Sequence, residues 1–165
     1  MSKAPNPNAP KRNSPRILTV KRAGHLTPNM IRVVFAGPEL AGFPEGHDGG
    51  NCKIMLPEPG EARAAFEHRL SDGPMPPRRT YTVRRYDAAT GELTIDFVDH
   101  GDEGPASSWA NRARPGDFLG FAGPSLPKLT HFEADWYLVA ADLSALPVAA
   151  ASLEAMPEEA QGIAI

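Results

Sequence analysis

The sequence predicts a mainly β protein, a six-stranded antiparallel Greek-key barrel followed by the start of an α/β unit. Three observations support this prediction. Proline and glycine together make up a fifth of the 165 residues, which is typical of short strands joined by many turns. Several strand-length segments are rich in β-branched and aromatic residues. Near the C-terminus, an apolar run, a helical pattern and a second apolar run follow one another.

The barrel strands alternate with turn residues along the chain. The six predicted strands are 16–22, 30–35, 52–56, 80–85, 92–98 and 118–124. Short helices are predicted over 61–70 and 106–113. The first two strands should form a hairpin across the turn at 26–29, and a second antiparallel hairpin should run from Tyr81 to Val98.

The C-terminal segment has a different pattern. Residues 136–141 form a continuous apolar run, which is typical of a buried strand in a parallel sheet. A helix is predicted over 145–156, with Ser144 as its N-cap and Pro147 in its first turn. This β-α-β order is typical of a nucleotide-binding α/β domain. We therefore expect a disordered tail (1–14), a barrel domain (15–130) and the first portion of an incomplete nucleotide-binding domain (131–165).

Composition narrows the functional classes. The net charge is −3 and the pI is about 5.9, so binding of nucleic acid through bulk charge is not expected. No apolar run reaches the length of a membrane span. The single cysteine, Cys52, cannot form an internal disulfide, which is most simply explained by a cytoplasmic location. His68 has no neighbours in sequence that would complete a metal site.

An arginine-rich strand at 78–85 is the most informative segment. Four of its eight residues are arginines, a large cost for a strand that only packs a core. Arginine presents a planar fork of donors suited to phosphate, and tyrosine presents a flat face suited to a ring. The alternative is an exposed edge strand whose arginines prevent aggregation. Alternation places Arg79, Tyr81 and Val83 on one face of the strand, and Thr80, Thr82 and Arg84 on the other.

A second informative segment, 99–110, leads from a loop into a helix. Glycine and acidic residues form the loop, and Pro105 suits the first turn because its missing N–H is not needed there. The first turn of a helix offers N–H groups and the positive end of a dipole, a combination that binds phosphate. The alternative is an ordinary strand-to-helix connection.

Several segments, in this order, resemble the siderophore-interacting proteins, a branch of the ferredoxin-reductase superfamily. The matching segments are 26–33, 79–84, 96–101, 104–110 and 135–147, and the likeness extends over nearly everything from Pro15 onward. The resemblance implies FAD as cofactor and a FAD-dependent ferric-siderophore reductase as function. It also implies a ferric siderophore as substrate partner, with electrons from NAD(P)H or ferredoxin.

The resemblance also implies residue roles. Arg79 would pair with the FAD pyrophosphate, together with the N–H groups near Ala106 and Ser107. Tyr81 would lie against the isoalloxazine ring and Thr82 would bond near its reactive nitrogen. The implied cofactor-binding residues are Arg79, Thr80, Tyr81, Thr82, Arg84, Val98, Asp99, His100, Gly104, Pro105, Ala106 and Ser107. No catalytic side chain and no metal ligand is expected, because the chemistry belongs to the flavin.

Substrate and nicotinamide contacts are implied at three further positions. Lys53 stands in a stretch that resembles the lysine-bearing strand of the family, and many ferric siderophores are anionic; a solvated strand lysine is the alternative. The family usually has Gly-Asp-Glu-Thr-Ala-Leu-Pro where residues 141–147 read Ala-Asp-Leu-Ser-Ala-Leu-Pro, and Asp142 and Ser144 are the nicotinamide candidates there. The alternative function is a flavin-binding electron-transfer module or a non-catalytic fragment.

Overall fold

The computed structural model describes residues 15–101, 104–128 and 131–165, so the predicted tail at 1–14 lies outside the described residues. Within these ranges the chain forms nine strands and three α-helices. They are β1 (Arg16–Thr27), β2 (Met30–Ala36), β3 (Asn51–Met55), α1 (Arg63–Ser71), β4 (Arg78–Thr82), β5 (Arg85–Asp87), β6 (Glu92–Val98), α2 (Pro105–Arg112), β7 (Phe118–Ala122), β8 (Tyr137–Val139), α3 (Leu146–Ala155) and β9 (Gly162–Ala164).

Seven strands form one antiparallel sheet in the order β4-β3-β7-β1-β2-β6-β5, which confirms the prediction of a mainly β protein with antiparallel pairing. In the described part of the chain, the hydrogen-bonded ladder is open, with β4 and β5 as its outer strands. Only two residues, Val83 and Arg84, separate these strands in sequence. The sheet must therefore curve until its two outer strands approach each other.

The predicted strand 80–85 is two strands because the chain changes partners in its middle. The backbone N–H of Val83 donates to the carbonyl of Gly50 (2.9 Å), on the β3 side. The next N–H, that of Arg84, donates to the carbonyl of Thr94 in β6 (3.0 Å). The predicted hairpin from Tyr81 to Val98 is accordingly wrong in its first half, since Tyr81 pairs with Cys52 of β3, and of the predicted strand 80–85 the part that pairs with β6 begins at Arg85 in β5.

The first hairpin is tighter than predicted. β1 continues to Thr27, so that only Pro28 and Asn29 connect it to β2. Residues 23–25 are poor strand formers by composition, but they pair with residues 31–33 of β2. The neighbouring ladder imposes the extended conformation on them.

The inner faces of the strands form the main core. Leu93, Ile95 and Phe97 of β6 are fully buried, as strict alternation requires. Trp109 of α2 packs against Phe97, with ring centroids 5.8 Å apart. This contact holds α2 beside the end of β6. A smaller cluster on the other side contains Ile17, Met55, Phe66 and Leu70, the last two from α1.

The C-terminal segment forms a parallel pair, β8 and β9, with α3 between them in sequence. The predicted burial of this segment is wrong: Leu138 is 60% exposed and Trp136 52% exposed. The β8–β9 pair has no third strand among the described residues, so one of its apolar faces remains exposed to solvent. Within the described residues, no helix combines the length and apolar character needed to cross a bilayer.

The start of α3 also differs from the prediction. The N-cap position is Ala145, which makes no side-chain capping bond, so Ser144 is not the N-cap. Instead the carboxylate of Asp142 accepts hydrogen bonds from the Ala145 N–H (2.9 Å) and from the Ser144 hydroxyl (2.7 Å). These hydrogen bonds lower the pKa of Asp142, the bond from Ser144 contributing most. Asp142, two residues before Ser144, therefore stabilises the turn that leads into α3.

Candidate functional site

A pocket of about 510 Å³ lies where β4, the end of β6 and the residues leading into α3 meet, and we call it the site pocket. Its volume is in the range of small-molecule sites. It is lined by Asn51, Arg79, Thr80, Tyr81, Thr82, Asp96, Val98, His100, Ser144, Ala145, Pro147 and Val148. Six of the twelve residues predicted to bind the cofactor are among them, and so is one of the nicotinamide candidates.

Tyr81 is held in place by the core. Its ring centroid lies 4.5 Å from that of Phe97, at an interplanar angle of 39°. Burial raises the pKa of the Tyr81 hydroxyl to about 12, so the side chain is neutral at physiological pH. Val83, two residues on, is fully buried on the same face. The pocket is thus lined by an uncharged aromatic ring whose position the main core fixes.

Arg79 and Arg84 of the arginine-rich segment 78–85 have different surroundings. Arg79 is exposed at the pocket, and among the described residues its Nη1 makes a long contact with the carbonyl of Arg78 (3.4 Å). Arg84 does not line the pocket. Its guanidinium makes a bidentate pair with Glu154 of α3, with Nη1 2.8 Å from one carboxylate oxygen. A cofactor-binding role for Arg84 stays a prediction, but its donors face Glu154.

Asp99 ties the end of β6 to α2. Its carboxylate accepts hydrogen bonds from the side chain of Asn111 (2.8 Å), the Ser107 hydroxyl (3.2 Å) and the Gly101 N–H (2.9 Å), and it lies 3.0 Å from Nε2 of His25. These bonds, that of His25 first, hold the pKa of Asp99 well below its usual range. Ser107 is 1% exposed. The side chains of Asp99 and Ser107 are therefore engaged in hydrogen bonds within the protein, and these bonds hold the end of β6 against the start of α2.

His100 connects the site pocket to the start of α2. Its ring lies so close to Gly104, the N-cap of α2, that a Cβ at Gly104 would be 2.6 Å from the imidazole Cε1. A side chain at Gly104 would therefore require the His100 ring to move. His100 lines the site pocket, whereas Gly104, Pro105, Ala106 and Ser107 do not, so the pocket and the start of α2 are connected through the His100 ring. A helix start favours anions through its N–H groups and dipole.

The chemistry of this donor set fits a cofactor that combines a flat ring with phosphates. Tyr81 offers an aromatic surface and Arg79 a guanidinium, and His100 connects the pocket to the N-terminal turn of α2. FAD contains both parts. The alternative reading of the arginine strand, an exposed edge, is also correct as geometry, since β4 is an outer strand and Arg78 to Thr80 are exposed. The two descriptions are compatible, because an outer strand can present side chains to a ligand.

The remaining candidates lie beside the pocket. Lys53 is exposed, is opposite Thr80 in the β3–β4 register, and donates to the Thr80 hydroxyl. Asp142 is not among the lining residues and is engaged in the turn before α3. Pro105 lines a different pocket, together with Trp109 of α2 and residues 56–61.

Five lining residues escaped the sequence analysis: Asn51, Asp96, Ala145, Pro147 and Val148. Asn51 reaches the pocket because it is in register with Thr82, and no sequence signal gives that register. Asp96 carried no distinct signal, because a polar residue between two buried ones is the ordinary alternation of a half-buried strand. Pro147 and Val148 arrive through tertiary packing of α3.

Comparison with known proteins identifies a family. Residues 19–128 match the family model of the siderophore-interacting FAD-binding domain. The chain is 39% identical over 164 residues to the ferric vibriobactin reductase ViuB of Vibrio cholerae, covering 94% of this chain and 59% of that protein. It is 34% identical over 146 residues to the NADPH-dependent ferric-chelate reductase of Escherichia coli, covering 86% of this chain and 57% of that protein.

Solved structures agree with the sequence matches. The siderophore-interacting protein SipS from Aeromonas hydrophila superposes with a TM-score of 0.77 at 43% identity, covering 92% of this chain and 58% of that chain. Phthalate dioxygenase reductase, at 15% identity and a TM-score of 0.62, covers 90% of this chain and 41% of that chain and shows the fold alone. The chain spans less than two thirds of the length of the curated relatives described above.

Proposed function

Because the chain belongs to the siderophore-interacting FAD-binding family, we propose that it binds FAD in the site pocket and is the flavin-carrying part of a ferric-siderophore reductase. One observation carries the proposal. The site pocket brings Arg79 and Tyr81 of β4 together with His100, which lies against the start of α2. The names of two relatives, a ferric vibriobactin reductase and a ferric-chelate reductase, supply the reaction class.

The side chains of the pocket have separate tasks in this proposal. The ring of Tyr81, fixed on Phe97, offers a flat surface for the isoalloxazine. Thr80 and Thr82 present hydroxyls to its polar edge, and Val98 closes the apolar side. Arg79 and the first turn of α2 hold the pyrophosphate. FAD, when bound, accepts an electron pair and passes single electrons to Fe(III), so the protein's part is to position it.

The surroundings of the pocket suit an anionic ferric chelate. Lys53, Arg78 and Arg85 are exposed close to β4, in addition to Arg79. Such a concentration of positive charge attracts anionic ligands in a chain whose net charge is −3. We infer that Lys53 assists binding of the ferric siderophore. Reduced iron is held weakly by siderophores, so reduction leads to release.

The electron donor is proposed to approach from the side of α3. Ser144, Ala145 and Pro147 precede or open this helix and line the site pocket. A donor bound by the C-terminal segment would therefore lie next to the flavin. NADPH is the donor named for the Escherichia coli relative. A ferredoxin partner is the alternative donor.

The finer architecture is part of the same proposal. We propose that residues 15–130 form the Greek-key flavin barrel, in which the bend at Val83 and Arg84 brings the outer strands side by side. We propose that residues 131–165 begin an NAD(P)H-binding domain. The exposed, in-register pair Leu138 and Ile163 supports this, since a parallel sheet normally has both faces covered. The buried thiol of Cys52 suits a cytoplasmic location.

A visible spectrum tests the proposal. The purified chain, incubated with FAD and freed of unbound cofactor, should show the absorbance of a bound flavin. After reduction by dithionite and removal of excess reductant, addition of a ferric chelate should restore the oxidised spectrum, and a ferrous-specific chelator should detect Fe(II). A chain that retains no flavin contradicts the proposal.

The electron donor is identified by adding NADPH or dithionite to the FAD-loaded chain and following loss of the flavin absorbance. Bleaching by NADPH supports a reductase that uses the nicotinamide. Bleaching by dithionite alone, without reoxidation by ferric chelates, supports the alternative of an electron-transfer module.

A further inference from the structure

A buried carboxylate lines the site pocket and is not accounted for by the proposed cofactor contacts. On β6, Leu93, Ile95 and Phe97 point into the core, so Asp96 belongs to the outer face of the strand. It is nevertheless only 7% exposed. Its neighbours explain this burial, because Arg84 and Glu154 of α3 lie over this part of the sheet. A carboxylate in such a position is costly unless it is paired.

The pairing is close and nearly balanced. Arg32 stands directly opposite Asp96 in the β2–β6 register and makes two hydrogen bonds to its oxygens, both 2.8 Å. Nε of Arg84 lies 4.0 Å from the second Asp96 oxygen, and the same guanidinium pairs with Glu154. Two arginines and two carboxylates thus form one connected set, with Asp96 as the member that lines the site pocket.

This arrangement has an electrostatic consequence for any ring bound there. Reduction adds electrons to a flavin, so a nearby cation stabilises the reduced state and a nearby carboxylate destabilises it. Interactions between charges are stronger in a partly buried site than in water. In an intact ion pair at the wall of the pocket, the two opposite effects on the reduction potential offset each other. When one partner is lost, the remaining charge shifts the potential.

We propose that Asp96, balanced by Arg32, sets the reduction potential of the flavin in the site pocket. The inference rests on the proposed binding of FAD there. The pair needs no contact with the iron or with the electron donor. Its role is to hold two opposite charges beside the ring, so that removing either one shifts the potential, and in opposite directions.

Two single substitutions and their combination test this. In Asp96→Asn the arginines are left in excess, so the midpoint potential of the bound FAD should rise. In Arg32→Gln the carboxylate is left in excess, so the potential should fall. The double variant should lie between the two single variants, near the wild type. The potential is measured by titration of the FAD-loaded chain against a reference dye, after its FAD affinity has been determined by fluorescence.

Glu92→Gln is the matched control. Glu92 lies on the same strand and the same face, also pairs with cations across to β1, but does not line the pocket. It is four residues from Asp96, about 13 Å along the strand, so its substitution should leave the potential unchanged. If Asp96→Asn does not fold, Glu154→Gln replaces it, because loss of this 59% exposed carboxylate also leaves Arg84 in excess and should raise the potential.

The outcomes are distinct. Opposite shifts of the two single variants, with a silent control, support the inference. Midpoint potentials of the two single variants that shift in the same direction, or do not shift, would overturn it, because a merely structural role would affect both variants alike. A shift of the potential in Glu92→Gln as large as in Asp96→Asn would overturn it as well. A wild-type chain that binds no FAD refutes the proposed function itself, and the inference with it.

Discussion

Replacement of Arg79 by alanine should weaken FAD binding without affecting binding of riboflavin. A hydrogen bond to a charged group is worth about 1.5–3 kcal/mol. Arg79 is exposed, so solvent screening places its contact near the lower end of this range, about 1.5 kcal/mol. Since about 1.4 kcal/mol corresponds to a factor of ten, the FAD dissociation constant should rise roughly tenfold. Riboflavin has no phosphate and should bind both proteins equally.

Arg78→Ala is the control for this experiment. Arg78 is also exposed and adjoins Arg79 on β4, but it does not line the site pocket. Both affinities follow from quenching of flavin fluorescence on titration with protein. The effect of Arg79→Ala should shrink between 0.1 and 1 M salt, because the screening length falls from about 10 to about 3 Å. Equal losses for FAD and riboflavin, or for the two arginines, would remove Arg79 from the phosphate site.

Four further predictions concern the pocket and the frame. Tyr81→Ala should loosen FAD and shift its potential, whereas Tyr81→Phe should do neither; equal behaviour in titrations would contradict stacking. Lys53→Glu should slow reduction of an anionic ferric chelate but not of a neutral one, and salt should reduce the difference. Phe66→Ala should cost about 3–5 kcal/mol in urea unfolding, because the ring is fully buried. Hydrogen bonds from an arginine and a lysine lower the pKa of Glu92 from 4.5 to about 2. The stability it contributes should therefore be present above pH 4.5 and be lost as the pH falls towards 2, and Glu92→Gln should flatten this part of the pH–stability curve.

Local patterns predicted most of the elements and missed their pairing. The strand at 92–98 was predicted to the residue because its alternation reflects one buried face. The change of partner at Val83 and Arg84 was missed, since it depends on Gly50 and Thr94, which are distant in sequence. The exposure of Leu138 was missed for the same kind of reason: an apolar run shows what a strand could bury, and only the tertiary structure shows what covers it.

For the candidate site, too, local patterns predicted some residues, and residues that depend on tertiary contacts were missed. Arg79, Tyr81 and His100 carried local signals, namely an unusual strand composition and a glycine-bounded helix start, and the structure brings them to one pocket. Asn51 and Asp96 carried none that could be read without strand register. Arg84 was assigned from its place in a motif, whereas its bonds are decided by Glu154, seventy residues later.

The position of β7 in the sheet has a consequence for the order of events during biosynthesis. β7 lies between β1 and β3 and is hydrogen-bonded to both. Without it the sheet separates into β4-β3 and β1-β2-β6-β5. The walls of the site pocket come from both parts, Thr80 from the first and Val98 from the second. As β7 is the last strand of this sheet to be translated, Phe118–Ala122 must leave the ribosome before the pocket can be complete, so a cofactor can be bound only after all seven strands of the sheet have been synthesised.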